Sequence, residues 1–485
     1  MIQRRKTGIF VVIASVCVLW EGLFRLGLIN PIRFSHPLGV LQTLADPSFL
    51  TGFFRAMLLQ MAFISLSGGS IGMILGGLVS VSNWLALSVL RILRIGLWFP
   101  LLIFWAFPTW PPREGFWHEA FLWVLIVGLT SVTLSAAYQY ISFRLHLRLN
   151  WRAAMLQAAR PIFLQAFFIS LISQIWISPH GWNWFDLGGT NGVAVGYTAL
   201  ILLIIVLFSI NFIFHYNFEE AARLRGTFVV MEVTYQRWSS FFGAAFLVAV
   251  CTGLWQIYGN KLNRYSLVGS PVEILQAGYR LIISGTGKED LYGLVWIDTG
   301  VSLLEILFGL MVGAFTAGFV YYGLYRNARF RASTLPLIPL TYVVPLVGSV
   351  FWLAWVGAFG GPLRTTIGIA LITFFPLLQT LVGLKNQDPL CRIFMAVDEA
   401  LPFAFVAMIF GEAVNTTVGL GFFILSARSD SLISEATAAA LMAFGLLVLF
   451  SSTIRLIVKR FYFNPKKLTM ESPPGLITST NRATS

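Results

Sequence analysis

The stretch Leu19-Trp20-Glu21, followed by Pro37 and Leu41-Gln42, occurs a second time as Leu254-Trp255-Gln256, Pro271 and Leu275-Gln276. The two copies are 235 residues apart at the tryptophans and 234 residues apart at the prolines. Each copy opens with an apolar segment that follows basic residues. A repeat of about half the chain, in so apolar a sequence, predicts two related and fused membrane units.

The composition places the chain in a lipid bilayer. Its 485 residues are 57% hydrophobic and only 11% charged, whereas soluble proteins carry about 25% charged residues. Apolar segments long enough to cross a bilayer, roughly 20 residues each, lie near 8–28, 57–81, 86–107, 119–142, 162–178, 192–215, 239–258, 299–323, 335–358, 363–384, 393–411 and 432–457. The sequence therefore predicts an all-α polytopic membrane protein of about twelve transmembrane helices.

The repeat divides the chain into units at 1–235 and 236–465, and the Pro-, Ser- and Thr-rich tail at 466–485 is predicted to be disordered. Glycines four residues apart recur in the second helix of each unit, at Gly72 and Gly76 and again at Gly309 and Gly313. Such pairs let two membrane helices approach closely. Their recurrence supports the division into two six-helix units.

The net charge of +13 predicts topology. Short cytoplasmic loops carry an excess of Lys and Arg. A cytoplasmic N-terminus places the basic segments 144–160, 223–237, 326–331, 385–392 and 455–467 inside, and leaves outside the loop 179–191, which has no Lys or Arg. We therefore expect both termini in the cytoplasm, and we find no aromatic-interleaved basic patch that indicates nucleic acid.

The second unit carries further motifs in a fixed order: Ser270-Pro271, Phe374-Phe375-Pro376, Asp388-Pro389, Gly411-Glu412-Ala413 and Gly419-Leu420-Gly421. This order resembles the permease subunit of ATP-binding-cassette importers, in the branch that moves nitrate, taurine, aliphatic sulfonates and related small anions. The first unit resembles it mainly through its opening. The resemblance implies two tandem type I permease units in the cell inner membrane, driven by a separate ATPase dimer and supplied by a periplasmic binding protein.

The sequence departs from this family at the loop that docks on the ATPase. The family pattern is E-A-A-x-x-x-G followed by I-x-L-P, but after Asp388-Pro389 only Glu399-Ala400-Leu401-Pro402 resembles its end. The segment Glu220-Ala221-Ala222, with Gly226, matches the first half from a different place, and is either an ordinary charged helix or a displaced docking element. The resemblance places the ATPase contacts at Arg148, Trp151, Arg152, Asp388, Pro389 and Arg392.

The substrate path should run between the units, near the outer side. The predicted lining residues are Glu412, Asn415, Gly419 and Gly421 in the second unit and Asn183, Gly188, Gly189 and Asn191 in the first. Glycines there would let backbone amides face a small anion. The Glu412 carboxylate would repel an anion, so we expect it to orient the turn. We also expect Arg91 and Arg94 to reach the inner membrane surface.

No enzyme chemistry is visible in the sequence. Gly285-Thr286-Gly287-Lys288 lacks the earlier glycine and the following Ser or Thr of a phosphate-binding loop. Three cysteines and five histidines show no metal-ligand spacing. We therefore predict no enzyme activity and no cofactor, with ATP bound by the partner subunit. Two alternatives remain: a secondary transporter with six-plus-six helices, and a degenerate permease with a scaffold role.

Overall fold

The structure, a computed structural model, describes residues 15, 17–28, 36–48, 50, 59–96, 116–146, 150–155, 158, 198, 202, 205, 218–234, 238–262, 270–284, 295–335, 338, 362–415, 417–429 and 432–461. Within these ranges all regular structure is helical and no strand occurs, so the all-α prediction is confirmed for them. The predicted segment 162–178, and most of 192–215 and 335–358, lie outside the described residues. The count of twelve helices in two tandem units stays a prediction.

The helices are numbered here in chain order. They are α1 (Pro37–Ala45), α2 (Gln60–Val79), α3 (Asn83–Gly96), α4 (Phe116–His146), α5 (Phe218–Thr234), α6 (Trp238–Leu262), α7 (Pro271–Tyr279), α8 (Val295–Arg326), α9 (Ala328–Thr334), α10 (Pro362–Gly383), α11 (Pro389–Asn415), α12 (Leu420–Ser429) and α13 (Ile433–Phe461). A turn of π-helix, Arg280–Ser284, extends α7. Residues 17–25 are also helical.

Five of the described helices are long and apolar enough to cross a membrane: Gln60–Val79, Val295–Arg326, Thr365–Gly383, Pro389–Ala413 and Ile433–Arg460. The surface of α8 shows the same property. Its side chains Leu304, Phe308, Met311, Phe315 and Phe319, spaced three or four residues apart, are each more than half exposed. An apolar stripe of this size suits acyl chains rather than water. The described part of the chain is that of a membrane-embedded protein.

One hydrogen bond recurs in the two copies of the opening motif. In the first, the Leu38 amide donates a hydrogen bond to Glu21 Oε2 at 3.1 Å. In the second, the Val272 amide donates to Gln256 Oε1 at 3.2 Å. Both bonds tie the first turn of a short helix, α1 or α7, to the preceding apolar helix, and Ser270 adds a capping box to α7.

The glycines of the repeat mark two close helix crossings. A Cβ atom at Gly72 of α2 would lie 2.3 Å from the carbonyl oxygen of Thr133 in α4. A Cβ atom at Gly309 of α8 would lie 2.5 Å from Ile369 Cγ2 in α10. In each half, the predicted second helix therefore packs on the predicted fourth helix, with glycine at the closest point.

Candidate functional site

A group of paired charges joins four helices, and we call it the arginine cluster. It consists of Arg94 on α3, Arg225 on α5, Asp398 and Glu399 on α11, and Arg455 on α13. Arg94 Nη2 donates to Asp398 Oδ2 at 2.9 Å and to Glu399 Oε1 at 2.7 Å. Arg455 Nε donates to Asp398 Oδ2 at 2.8 Å, and Arg225 pairs with Glu399 Oε2.

The arginine cluster is well compensated. Asp398 is 0% exposed and Glu399 is 5% exposed, so both carboxylates have left water and need partners. Ser451 adds a hydroxyl donor to Asp398 Oδ1 at 2.5 Å. At Arg225, burial is the largest single influence and lowers the pKa of the guanidinium, but the charge and hydrogen bond of Glu399, together with the charge interaction with Tyr138, outweigh burial and raise that pKa. The cluster thus fixes α3 and α5, from the first half, against α11 and α13.

The prediction that Arg94 reaches the membrane surface is wrong. Its side chain is 15% exposed and is directed to the two carboxylates of α11. An arginine that finds two buried acids gains more from pairing than from reaching the headgroups. The side-chain position of Arg91 lies outside the described residues.

The remnant of the docking motif, Glu399-Ala400-Leu401-Pro402, lies inside α11. A turn at 384–388 joins α10 directly to α11, and Asp388 Oδ1 caps α11 by accepting the Leu390 amide at 2.9 Å. Glu399 therefore serves the arginine cluster, and no separate docking helix stands between α10 and α11. Asp388 and Pro389 are exposed at the helix start.

The other predicted ATPase contacts differ in their exposure and in their contacts with the rest of the chain. Arg392 Nη1 donates to the Tyr321 hydroxyl at 2.7 Å, and its guanidinium lies 4.7 Å from the centroid of that ring. Trp151 is 54% exposed, and the exposed Arg152 guanidinium lies 5.2 Å from its ring centroid. Arg148 lies outside the described residues. The pair at 151–152 is therefore presented outward, whereas Arg392 is held against α8.

The segment Glu220-Ala221-Ala222 with Gly226 packs into the second half. A Cβ atom at Gly226 would lie 2.4 Å from the carbonyl oxygen of Gly383, and one at Gly383 would lie 2.0 Å from the carbonyl oxygen of Ala222. Ala222 is 0% exposed. The small residues of this segment let α5 cross the end of α10, and this crossing places Arg225 beside Glu399.

A second group of buried polar residues lies at the other end of α11, and we call it the carboxyl cluster. It consists of Asp298, Ser302 and Glu305 on α8, Thr365 on α10 and Glu412 on α11. Glu412 is 0% exposed. Its Oε1 accepts the Ser302 hydroxyl at 2.6 Å. The Glu305 carboxyl lies beside that of Glu412.

The carboxyl cluster holds the turn before α12. The Gly419 amide donates to Asp298 Oδ1 at 2.7 Å, the Leu420 amide to Ser302 Oγ at 2.9 Å, and the Gly421 amide to Glu412 Oε2 at 2.7 Å. Gly419 has φ +115°, and a Cβ atom there would lie 2.4 Å from the Glu412 carboxyl carbon. The amides predicted to face a small anion are thus occupied by groups of this chain, and Glu412 orients the turn.

The remaining predicted path residues cannot be placed in this site. Asn415 is the last residue of α11, and its side chain is not described. The first-unit residues Asn183, Gly188, Gly189 and Asn191 lie outside the described residues. Within the described ranges, no group of three His, Cys, Asp or Glu side chains could hold a metal ion.

The two clusters lie at different levels of the molecule. Glu399 and Glu412 are 13 positions apart on α11, which is about 20 Å along a helix. The arginine cluster joins residues that the predicted topology puts on the inner side, and the carboxyl cluster joins residues that it puts on the outer side. The structure establishes that the two clusters are separated along α11, while the identity of the cytoplasmic side stays a prediction.

Sequence reasoning missed Asp298, Asp398, Arg225 and Arg455 as functional candidates. A signal was present, because Asp398 and Arg455 fall inside predicted membrane segments, where a charge needs a partner.

Comparisons with protein families, characterised proteins and solved structures found no match to this chain. Its function must therefore be inferred from the chain's own residues.

Proposed function

We propose that this chain is the fused transmembrane permease of an ATP-binding-cassette importer. It would move a small solute, an anion such as nitrate, a sulfonate or taurine, across the inner membrane. A separate ATPase dimer would drive the cycle, and a periplasmic binding protein would deliver the substrate.

The observation that carries this proposal is the repeated geometry of the two halves. The bonds Leu38–Glu21 and Val272–Gln256 are equivalent in the repeat, and so are the glycine crossings of α2 on α4 and α8 on α10. Two copies of one unit would supply the pseudo-twofold pair that a permease places around a solute path. Secondary transporters with parallel halves share this symmetry, so the coupling surface decides between them.

The proposed ATPase surface includes one exposed patch from each half. In the first half, Trp151 and Met155 are 54% and 41% exposed, beside Arg152. Residues 151–155 are helical, and Ala154 in this segment is buried against α4, so the packing of Ala154 holds the patch in place. In the second half, Leu390 and Ile393 are 57% and 47% exposed beside Asp388 and Pro389. Exposed aromatic and aliphatic anchors with an arginine are common at protein interfaces.

The proposal is tested by co-purification with the ATPase encoded next to this chain. We expect a tagged chain to retain that ATPase, and Trp151→Ala combined with Arg152→Glu to reduce the retained amount at least several-fold. Trp296→Ala is the matched control, because Trp296 is 58% exposed on the side predicted to be outer. Retention unchanged by the double variant, and by adding Arg148→Glu, would move the docking site to α5 and the Glu220 segment.

One observation favours a second candidate, a degenerate permease with a scaffold role. The end of the docking motif is buried within α11, with Glu399 in the arginine cluster. If no ATPase is retained and labelled nitrate, taurine or sulfonate is not taken up, the scaffold role is supported. Uptake that needs no ATPase and stops with an ionophore would indicate a secondary transporter.

A further inference from the structure

The Glu305 carboxyl is buried without the contacts that a charged group needs. Glu305 is 2% exposed. Neither Oε1 nor Oε2 has a hydrogen-bond partner among the described residues. Its polar neighbours are Glu412 and Thr365, and their positions do not meet the distance and angle requirements of a hydrogen bond to either oxygen. An ionised carboxylate without donors in an apolar interior is strongly unfavourable.

Glu412, which lies beside Glu305 on the facing helix α11, does have hydrogen-bond donors. Glu412 accepts a hydroxyl donor from Ser302 and an amide donor from Gly421, and such donors stabilise the charged form of a carboxylate. Two adjacent buried carboxyls do not both ionise readily, and a pair of this kind holds a shared proton. The asymmetry of donors assigns the charge to Glu412 and the proton to Glu305.

The second observation that points to a ligand is Thr365. It is 2% exposed, and its hydroxyl oxygen has no partner among the described residues. It lies beside Glu305 on the facing helix α10. A protonated Glu305 has one O–H to donate, and after small side-chain rotations Thr365 Oγ1 or Glu412 can accept it. When Thr365 Oγ1 is the acceptor, one bound proton gives both side chains a hydrogen-bond partner.

We propose that Glu305 and Glu412 form a proton-binding site between α8 and α11. Around Glu305, α11 contributes the charged group Glu412, α8 contributes Asp298 two turns away, α10 contributes Thr365, and α12 contributes backbone amides. Release of the proton to water leaves two neighbouring carboxylates, whose repulsion loosens α8 from α11 and from the turn at 417–421. The site needs neither the ATPase nor the anion of the proposed function.

The geometry favours a proton over a metal cation. Both Glu412 oxygens already accept donors, so three unsatisfied oxygens remain, two on Glu305 and one on Thr365. Hard cations such as magnesium and calcium take six or more oxygen ligands. A proton needs only two oxygens.

Infrared spectroscopy of the purified full chain in detergent tests the site. We expect the C=O stretch of a protonated carboxyl at neutral pH, shifted by exchange into D2O and lost in Glu305→Gln. Glu273→Gln is the matched control, because Glu273 is an exposed capping-box carboxyl that Gln replaces with little change. A wild-type chain without this band at neutral pH, or a band that persists in Glu305→Gln, would overturn the proposal.

Thermal unfolding as a function of pH provides a second measurement, and its first part uses the wild-type chain alone. Near neutral pH the folded chain holds a proton on the glutamate pair, whereas both carboxyls are ionised in the unfolded chain. Because the folded state binds more protons, the free energy of unfolding must fall as pH rises. We expect this slope in the wild-type chain and its loss in Glu305→Gln. A slope shared equally by both, or stabilisation of only the wild type by sodium or potassium at high pH, would contradict a proton site.

Discussion

The arginine cluster and the carboxyl cluster both contain buried carboxyl groups, but these groups are compensated in different ways. In the first, Asp398 and Glu399 face Arg94, Arg225 and Arg455. In the second, Glu412 faces a hydroxyl and an amide, and Glu305 has no described hydrogen-bond partner. One helix, α11, carries both. The arginine cluster therefore connects helices through satisfied ion pairs, whereas the carboxyl cluster contains a group whose hydrogen bonds are incomplete without a bound proton.

The charge balance gives each cluster its role. Three guanidinium groups meet two carboxylates in the arginine cluster, so every acid is paired and the helices are fixed in one arrangement. Losing one partner of a buried ion pair is costly, because the other charge is left buried and uncompensated. In the carboxyl cluster, the proposed site can bind and release a proton, because no fixed positive charge is among the interactions of Glu305.

The largest effect is expected from Asp398→Ala. This change leaves Arg455, 8% exposed in its side chain, without its closest carboxylate, and should reduce the free energy of unfolding by about 3–5 kcal/mol. Thermal unfolding in detergent measures it. Glu219→Ala is the control, since its pair with Arg331 is roughly half exposed and such pairs contribute about 0–1 kcal/mol. Equal losses in the two variants would remove the distinction between buried and exposed pairs.

A smaller loss should follow Gly383→Ala, which disturbs the arginine cluster from a distance. The added methyl would lie 2.0 Å from the Ala222 carbonyl oxygen, so α5 must move and carry Arg225 away from Glu399. We expect about 1–3 kcal/mol from this overpacking. Gly318→Ala is the matched control, because apart from its chain neighbours and its own helix backbone no atom lies within 4 Å of its Cβ position. Identical melting curves for both variants would contradict the close crossing.

The two glutamates of the carboxyl cluster should respond differently to the same change. Glu412→Gln replaces an oxygen that accepts a hydrogen bond with a donor, at a cost of about 1–2 kcal/mol. Glu305→Gln replaces a neutral acid with a neutral amide and should cost less. Thermal unfolding at neutral pH compares them. In transport assays, Glu412→Gln should lower the rate and keep the substrate preference, whereas a change of transported anion would place Glu412 in contact with substrate.

The smallest effect is expected at Glu21, a carboxylate outside both clusters. It accepts the Leu38 amide and pairs with the exposed Arg25. At the equivalent position, the neutral Gln256 side chain accepts the Val272 amide. Glu21→Gln should therefore leave the melting temperature unchanged, and Glu21→Ala should lower it slightly. A marked loss in the Gln variant would show that the charge itself matters in the first half.

Part of the candidate site could be predicted from the sequence. Glu412 was identified because it is an acid in an apolar segment beside a glycine turn, and its role in holding that turn agrees with the bonds from Ser302 and Gly421. The occupation of the glycine amides by Asp298 and Glu412 could not be predicted. Asp298 lies 121 residues from Gly419, and spacing alone does not state which helices meet.

The sequence by itself determined the membrane class, the approximate positions of the long apolar helices among the described residues, and the repeat of the opening motif. These follow from local composition and from letters that recur at a fixed offset, and neither depends on how helices pack. Only the tertiary structure decided that Arg94 meets Asp398 over 304 residues, and that Glu305 is left without donors. Such pairings depend on the rotation and depth of each helix in the bundle. The long-range contacts that set those two variables exist only once the helices have packed.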